Sequence, residues 1–178
     1  MNDTDLLALN VYEEAGGEID EGKAAVARIV KNRMRAKFFS DGTIQGTVLA
    51  KDQFSWAWFG FTDGIKTASG NITPAKHMQE YVRLCYTSTE AQSLAETLLK
   101  RAKKISPKSF ARCGEIAGAV MSGTYYGPLY AKLGYDAVSY LNPRILTKLP
   151  SWAIPSRLVV SIGHHDFYRA TDTGALTS

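Results

Sequence analysis

A chain of 178 residues, 45% hydrophobic and 21% charged, suffices for one domain with its own core, and no apolar run reaches the ~20 residues needed to span a bilayer. The net charge of +4 suits an anionic partner (nucleic acid, an acidic polysaccharide or a cell wall) without choosing among them. Two cysteines, Cys85 and Cys113, exclude a disulfide framework. Both lie in helix-like apolar stretches and read as buried free thiols; with only His77, His164 and His165 to join them, no zinc site is expected.

The opening residues, Met1 to Asp5, are polar and acidic, unlike a signal peptide. Asp3 or Thr4 is placed to cap a first helix running through Leu6, Leu7, Leu9 and Val11 to about Ala15, where Gly16-Gly17 ends it. Asp20 is placed to cap a second, from Glu21 to about Lys37, with Ala25, Val26, Ile29, Val30 and Met34 at helical spacing. Residues 42–61 read as irregular, with a short helix near Ile44 to Ala50 and an aromatic cluster including Phe54, Trp56 and Trp58. Two helices are expected from Pro74 to Lys104, broken near Thr87 with Ser88 or Thr89 as cap. The second ends in Lys100, Arg101, Lys103 and Lys104, read as a solvated basic helix end rather than a nucleic-acid site. A further helix spans about Pro107 to Met121 and stops at Gly123; strands are expected at Ala137 to Leu141 and Leu158 to Ile162. The tail, residues 171–178, is polar. The fold class is therefore mainly α (α+β), with a small β element near the C-terminus.

The stretch Tyr12 to Ala24 packs five acids and three glycines between two apolar helices. Acids held against a hydrophobic element are costly to ionise, and such burial makes a carboxyl a proton donor at neutral pH. Glu14, at the end of an apolar helix with the Phe54/Trp56/Trp58 cluster available to shield it, is the favoured candidate.

Leu7 to Arg33 resembles the opening of the cell-wall hydrolase family that includes the spore cortex-lytic enzymes. The matching residues are Glu14-Ala15-Gly16-Gly17-Glu18, Glu21-Gly22 and Asn32-Arg33. In the same order follow Ile44 through Val48 to Gln53-Phe54-Ser55, Ala117 to Gly123, Tyr140-Leu141-Asn142-Pro143, Trp152, and Ile162-Gly163-His164-His165-Asp166-Phe167-Tyr168. Two departures stand out. Residues 59–105 are longer than a minimal member needs and read as an inserted helical pair. Gly134-Tyr135-Asp136-Ala137 replaces the usual Asp-Pro-Thr-Gly-Gly-Ala.

The resemblance implies a lysozyme-like helical domain over residues 1–170. It implies cleavage of peptidoglycan between N-acetylmuramic acid and N-acetylglucosamine, as a lytic transglycosylase leaving 1,6-anhydro-muramic ends, with Glu14 as acid and base. Glu18 reads either as an electrostatic stabiliser at the reacting carbon or as a salt-bridged residue starting the next helix; Asp20 and Glu21 read as helix-start acids and Glu13 as solvated. Phe54 and Ser55 are groove candidates, Phe54 equally a core residue. Trp56 and Trp58 alternate, so one is expected to face the core and the other the groove. Tyr125, Tyr126, Tyr140 and Asn142 are further groove candidates. His165 matches the family's histidine, either orienting a loop or purely structural; His164 reads as surface, and Arg33 as the partner of a local carboxylate or helix end. No metal or organic cofactor is implied. The expected partner is the glycan strand of peptidoglycan, met by a monomer with neither nucleic-acid binding nor stable membrane insertion. The setting expected is a bacteriophage endolysin made in the host cytoplasm and acting on the wall after release, or a virion-borne or bacterial wall enzyme. A hydrolytic muramidase and a non-catalytic glycan-binding or phage structural module are the competing readings.

Overall fold

The computed structural model describes residues 1–61, 81–146 and 148–170, with the backbone alone at 60, 61, 81 and 82. Helix α1 (Asp3–Ala15) lies at the centre, against α2 (Asp20–Ala36), α3 (Ile44–Val48), α5 (Ser88–Ile105) and α6 (Pro107–Ser122). Its length is set by its apolar residues. Leu6, Leu7, Leu9 and Val11 are all buried, and so is Asn10. The cap is Asn2, not Asp3 or Thr4: its side chain accepts the Asp5 N–H at 2.7 Å. Asp3 and Asp5 instead fill the first turn, where the positive end of the helix dipole favours them.

Asp20 likewise lies in the first turn of α2 and caps nothing; its carboxylate accepts two hydrogen bonds from Arg112 of α6, the shorter at 2.7 Å. Ala25, Val26, Ile29 and Val30 are buried, as their spacing predicts. Lys31 donates to the carbonyls of Val120 and Met121, both at 2.9 Å, satisfying the end of α6. Gly123, with φ +80°, turns the chain out of that helix.

Of the expected helical pair, the second member is present as α5, and the described end of the first is a strand. Helix α4 (Ser55–Trp58) leads into β1 (Phe59–Phe61), which pairs antiparallel with β2 (Tyr81–Arg83), where a helix was expected. The rest of that expected helix, residues 74–80, lies outside the described residues, as does the tail. Cys85 follows β2 in non-helical chain, whereas Cys113 sits in α6; both are buried free thiols. Helix α5 is capped by Thr87, not by Ser88 or Thr89. Thr87 accepts the Glu90 N–H while the Glu90 carboxylate accepts the N–H of Thr87, a reciprocal capping box. The basic residues do close α5, and Lys103 pairs with Asp5 of α1 at 2.9 Å.

A short helix α7 (Pro128–Lys132) precedes a three-stranded antiparallel sheet ordered β3-β5-β4: β3 is Ala137–Leu141, β4 Leu158–Ile162 and β5 His165–Arg169. The central strand, β5, is the one the sequence reading missed. Its residues alternate in facing but not in polarity. Tyr140 of β3 pairs in register with Phe167, and Ile162 of β4 with His165. His165 and Phe167 therefore share one face with Tyr140, while Tyr168, on the other face, is covered by Trp152. Helix α2 packs against β3, bringing the sheet up to the helices at Glu14.

Candidate active site

Glu14 sits in the last turn of α1, at the negative end of the helix dipole. Its carboxyl is enclosed although the residue as a whole is part-exposed. The Tyr140 hydroxyl donates to Glu14 Oε2 at 2.8 Å. Burial lifts the Glu14 pKa to about 7; the Tyr140 hydrogen bond and the Arg33 charge pull it down, and neighbouring Glu13 pushes it up. A carboxyl with such a pKa keeps a proton for donation near neutral pH and can take one back. The Tyr140 hydroxyl, buried beside Glu14, is itself held well above the usual tyrosine range.

Glu18 is placed differently. Its carboxylate accepts the backbone N–H of His164 at 3.1 Å and meets His164 Nδ1 at 2.7 Å, with His165 Nδ1 at 3.8 Å. Burial would raise its pKa, but the His164 hydrogen bonds and the two imidazoles outweigh this and lower it. Glu18 thus ties the α1–α2 loop to the β4–β5 turn. A side chain at Gly163, whose φ is +63°, would put its Cβ 1.9 Å from Glu18 Oε2. His164, expected at the surface, is exposed and yet engaged. His165 is buried, its ring edge-on to Tyr140 at 5.3 Å, and burial depresses its pKa. The ring braces the tyrosine that holds Glu14.

Phe54 is buried, with the Arg33 guanidinium 5.1 Å from its ring centroid, so it is a packing residue with no face open to a sugar. Trp58 is also core, whereas Trp56 is part-exposed and donates through Nε1 to Asn10 Oδ1 at 2.9 Å. Asn10 stands one helical turn before Glu14 on α1, so Trp56 lies on the Glu14 side of that helix. Ser55 begins α4 and is part-exposed. Tyr125 packs edge-on against Tyr130 at 5.0 Å, and Tyr126 is 87% exposed. The Asn142 side chain accepts the Arg144 N–H at 3.0 Å, shaping the turn that leaves β3. Glu14, Tyr140, His165 and Glu18 thus form one connected group, while Tyr126 makes no contact with it. Asp20 and Glu21 start α2 as expected; Glu21 also accepts the Leu129 N–H at 3.0 Å.

Asn10 is a neighbour the sequence reading passed over, and Arg33, read as the partner of a local carboxylate or helix end, lies beside the site. Arg33 donates through Nε to the Val138 carbonyl at 2.6 Å and is buried. It recurs at helical spacing after Val26, Ile29 and Val30, on the buried face of α2. A charged residue on an apolar stripe was the available signal, as was an amide among the leucines of α1. Among the described residues, no group of three or more His, Cys, Asp or Glu is arranged to hold a metal ion.

Over residues 17–168 the sequence matches the family described as Cell Wall Hydrolase. The chain belongs to this family. Membership supports a peptidoglycan-degrading enzyme, and the matched span opens just after Glu14, taking in α2 and the sheet as far as Tyr168. No curated protein matches the sequence. The chain is also similar to solved structures. One is the catalytic domain of germination-specific lytic transglycosylase SleB from Bacillus anthracis, 19% identical, with a TM-score of 0.52 and 95% of each chain covered. Another is the catalytic domain of the Bacillus cereus SleB protein, 20% identical, with a TM-score of 0.45, over 94% of this chain and 89% of the other. The likeness to the first shows the same mostly helical fold with its small C-terminal sheet.

Proposed function

We propose that this cell wall hydrolase is a lytic transglycosylase in which Glu14 serves as both acid and base. The observation that carries the reading is the enclosed Glu14 carboxyl, raised to about 7 and held by the Tyr140 hydroxyl. Protonated Glu14 gives its proton to the oxygen joining C1 of N-acetylmuramic acid to N-acetylglucosamine. That C–O bond breaks and positive charge develops at C1. The muramoyl 6-hydroxyl attacks C1, and its proton passes to the Glu14 carboxylate, restoring the acid and leaving a 1,6-anhydro end. The attacking group is already tethered, so little entropy is lost in bringing it to C1. A hydrolase ordinarily uses a second carboxylate to activate water or capture the sugar. Glu18, the second acid of the matching motif, is committed to His164, which supports the single-carboxylate route.

In this scheme Tyr140 orients Glu14, His165 braces Tyr140, and Trp56, Ser55, Tyr125 and Asn142 are the remaining candidates for the sugar groove. The SleB relative is itself named a lytic transglycosylase, in keeping with the proposal. Mass spectrometry of muropeptides released from purified sacculi tests it. Anhydro-muramic ends are expected; reducing ends would establish a hydrolytic muramidase instead. Loss of wall turbidity that survives Glu14→Gln would remove Glu14 from its role, and no turbidity loss with the unaltered chain would leave a glycan-binding module. We extend the reading to a phage lysis role after release to the wall, in keeping with the net charge of +4. Host lysis on expression only alongside a hole-forming membrane protein agrees with that role; no lysis with or without it counts against it.

A further inference from the structure

We propose that Arg33 is a positioning residue for this reaction, a buried cation set to receive the carboxylate that Glu14 becomes once its proton has left. The inference rests on the reading of Glu14 as proton donor and deepens it. Arg33 is 6% exposed. Its guanidinium is fixed by the Val138 carbonyl at 2.6 Å from Nε and by the Phe54 ring beneath it. These contacts use only part of its donor set. Nη1 is buried with no hydrogen-bond partner, and a buried cation with an idle donor is expensive unless a counter-charge balances it. The titratable groups that act on Arg33 are Tyr140 and Glu14, and Arg33 acts on Glu14 in return.

While Glu14 is protonated, that counter-charge is missing. As the proton moves to the glycosidic oxygen, negative charge grows on Glu14 and the guanidinium gains what it lacked. The interaction is therefore stronger in the transition state than in the resting enzyme, the condition under which an electrostatic contact speeds a reaction. Arg33 is held beside the carboxyl by β3, since Val138, which it grips, is two residues from Tyr140, which grips Glu14. The cation acts there through its field rather than through a new contact. The groups facing Glu14 from each side are Tyr140 of β3, Arg33 of α2 and Glu13 of its own helix. Behind them stand Arg101 of α5, whose charge acts on Glu13, and His165 of β5, packed on Tyr140. Of these, Arg33 is the cation acting directly on Glu14.

The test compares pH profiles of kcat/KM on purified walls for the unaltered chain, Arg33→Met and Arg33→Lys. Loss of the charge is expected to move the alkaline limb upward by about one pH unit, because an ionised Glu14 loses a stabilising cation. The plateau is expected to fall by about a hundredfold. Arg33→Lys keeps the cation and should leave the limb near its original pH. A limb that stays put in Arg33→Met while activity falls equally at every pH would mean that Arg33 only supports the fold, and would overturn the proposal. Carbon-13 NMR titration of the Glu14 carboxyl, with and without Arg33→Met, reads the same shift without turnover. If Arg33→Met does not fold, Arg33→Gln offers the Val138 carbonyl a neutral donor and answers the same question. Wall cleavage that persists in Glu14→Gln would sink the parent reading; cleavage that needs Glu14, with a titration indifferent to Arg33, would sink this one alone.

Discussion

Glu14 keeps its proton because removal from water costs its anion more than Tyr140 and Arg33 give back. The same imbalance bears on stability. The folded pKa, about 7, lies above the ordinary 4.5, so the unfolded chain ionises first as pH rises. The contribution of the protonated group to stability is full below 4.5 and is lost as pH climbs through about 7. At ~1.36 kcal/mol per pH unit, the gap from 4.5 to about 7 corresponds to roughly 3 kcal/mol. Glu14→Gln cannot ionise. Thermal denaturation should find it more stable than the unaltered chain by up to ~3 kcal/mol near pH 9, and equal near pH 4; equal melting temperatures at both would contradict the burial. Tyr140→Phe removes a donor that favours the ionised carboxyl, so the Glu14 pKa should rise further. The alkaline limb of the pH–rate profile should then move to higher pH; a limb moving lower would contradict the geometry.

The β4–β5 turn is the element whose geometry is least forgiving. Gly163 takes a left-handed conformation and lies against the Glu18 carboxylate. Gly163→Ala should cost ~2 kcal/mol or more, since backbone strain adds to the displacement of Glu18, and a melting temperature within a degree of the original would refute this. Glu18, its pKa lowered by His164, stabilises the fold above the ordinary carboxyl pKa of 4.5 and loses that contribution as pH falls below it. Helices α1, α2 and α6 were readable because each carries an apolar stripe at helical spacing and an ending such as Gly123. Caps were less readable. Asn2, Thr87 and the tertiary use of Asp20 depend on which of several adjacent polar residues the fold turns inward. Strand β5 was missed because its inward face mixes His165 with Phe167, so no apolar alternation marks it.

Across the whole molecule, the site joins residues far apart in the chain. Glu14 and Tyr140 are 126 residues apart and meet because α2 bridges α1 to β3. Glu14 could be singled out from its acid-rich, helix-end setting. The contacts of Tyr140 and His165 could not, since each follows from strand register, and Arg33 was legible only as the partner of some local carboxylate or helix end. Phe54 shows the converse: its aromatic character suggested a sugar platform, but its place beneath Arg33 makes it support. On the proposed reading, the net charge of +4 acts at this scale, as long-range attraction to an anionic wall. Wall lysis should therefore slow several-fold when ionic strength rises from about 0.05 to about 0.3 M, as screening shortens that attraction; a rate indifferent to salt would assign the charge no part in docking. The most direct test of the central claim is mass spectrometry of sacculus digests, made with the unaltered chain and with Glu14→Gln. Anhydro-muramic ends from the first and no soluble products from the second are the predicted result. Undiminished release of muropeptides by Glu14→Gln would contradict it.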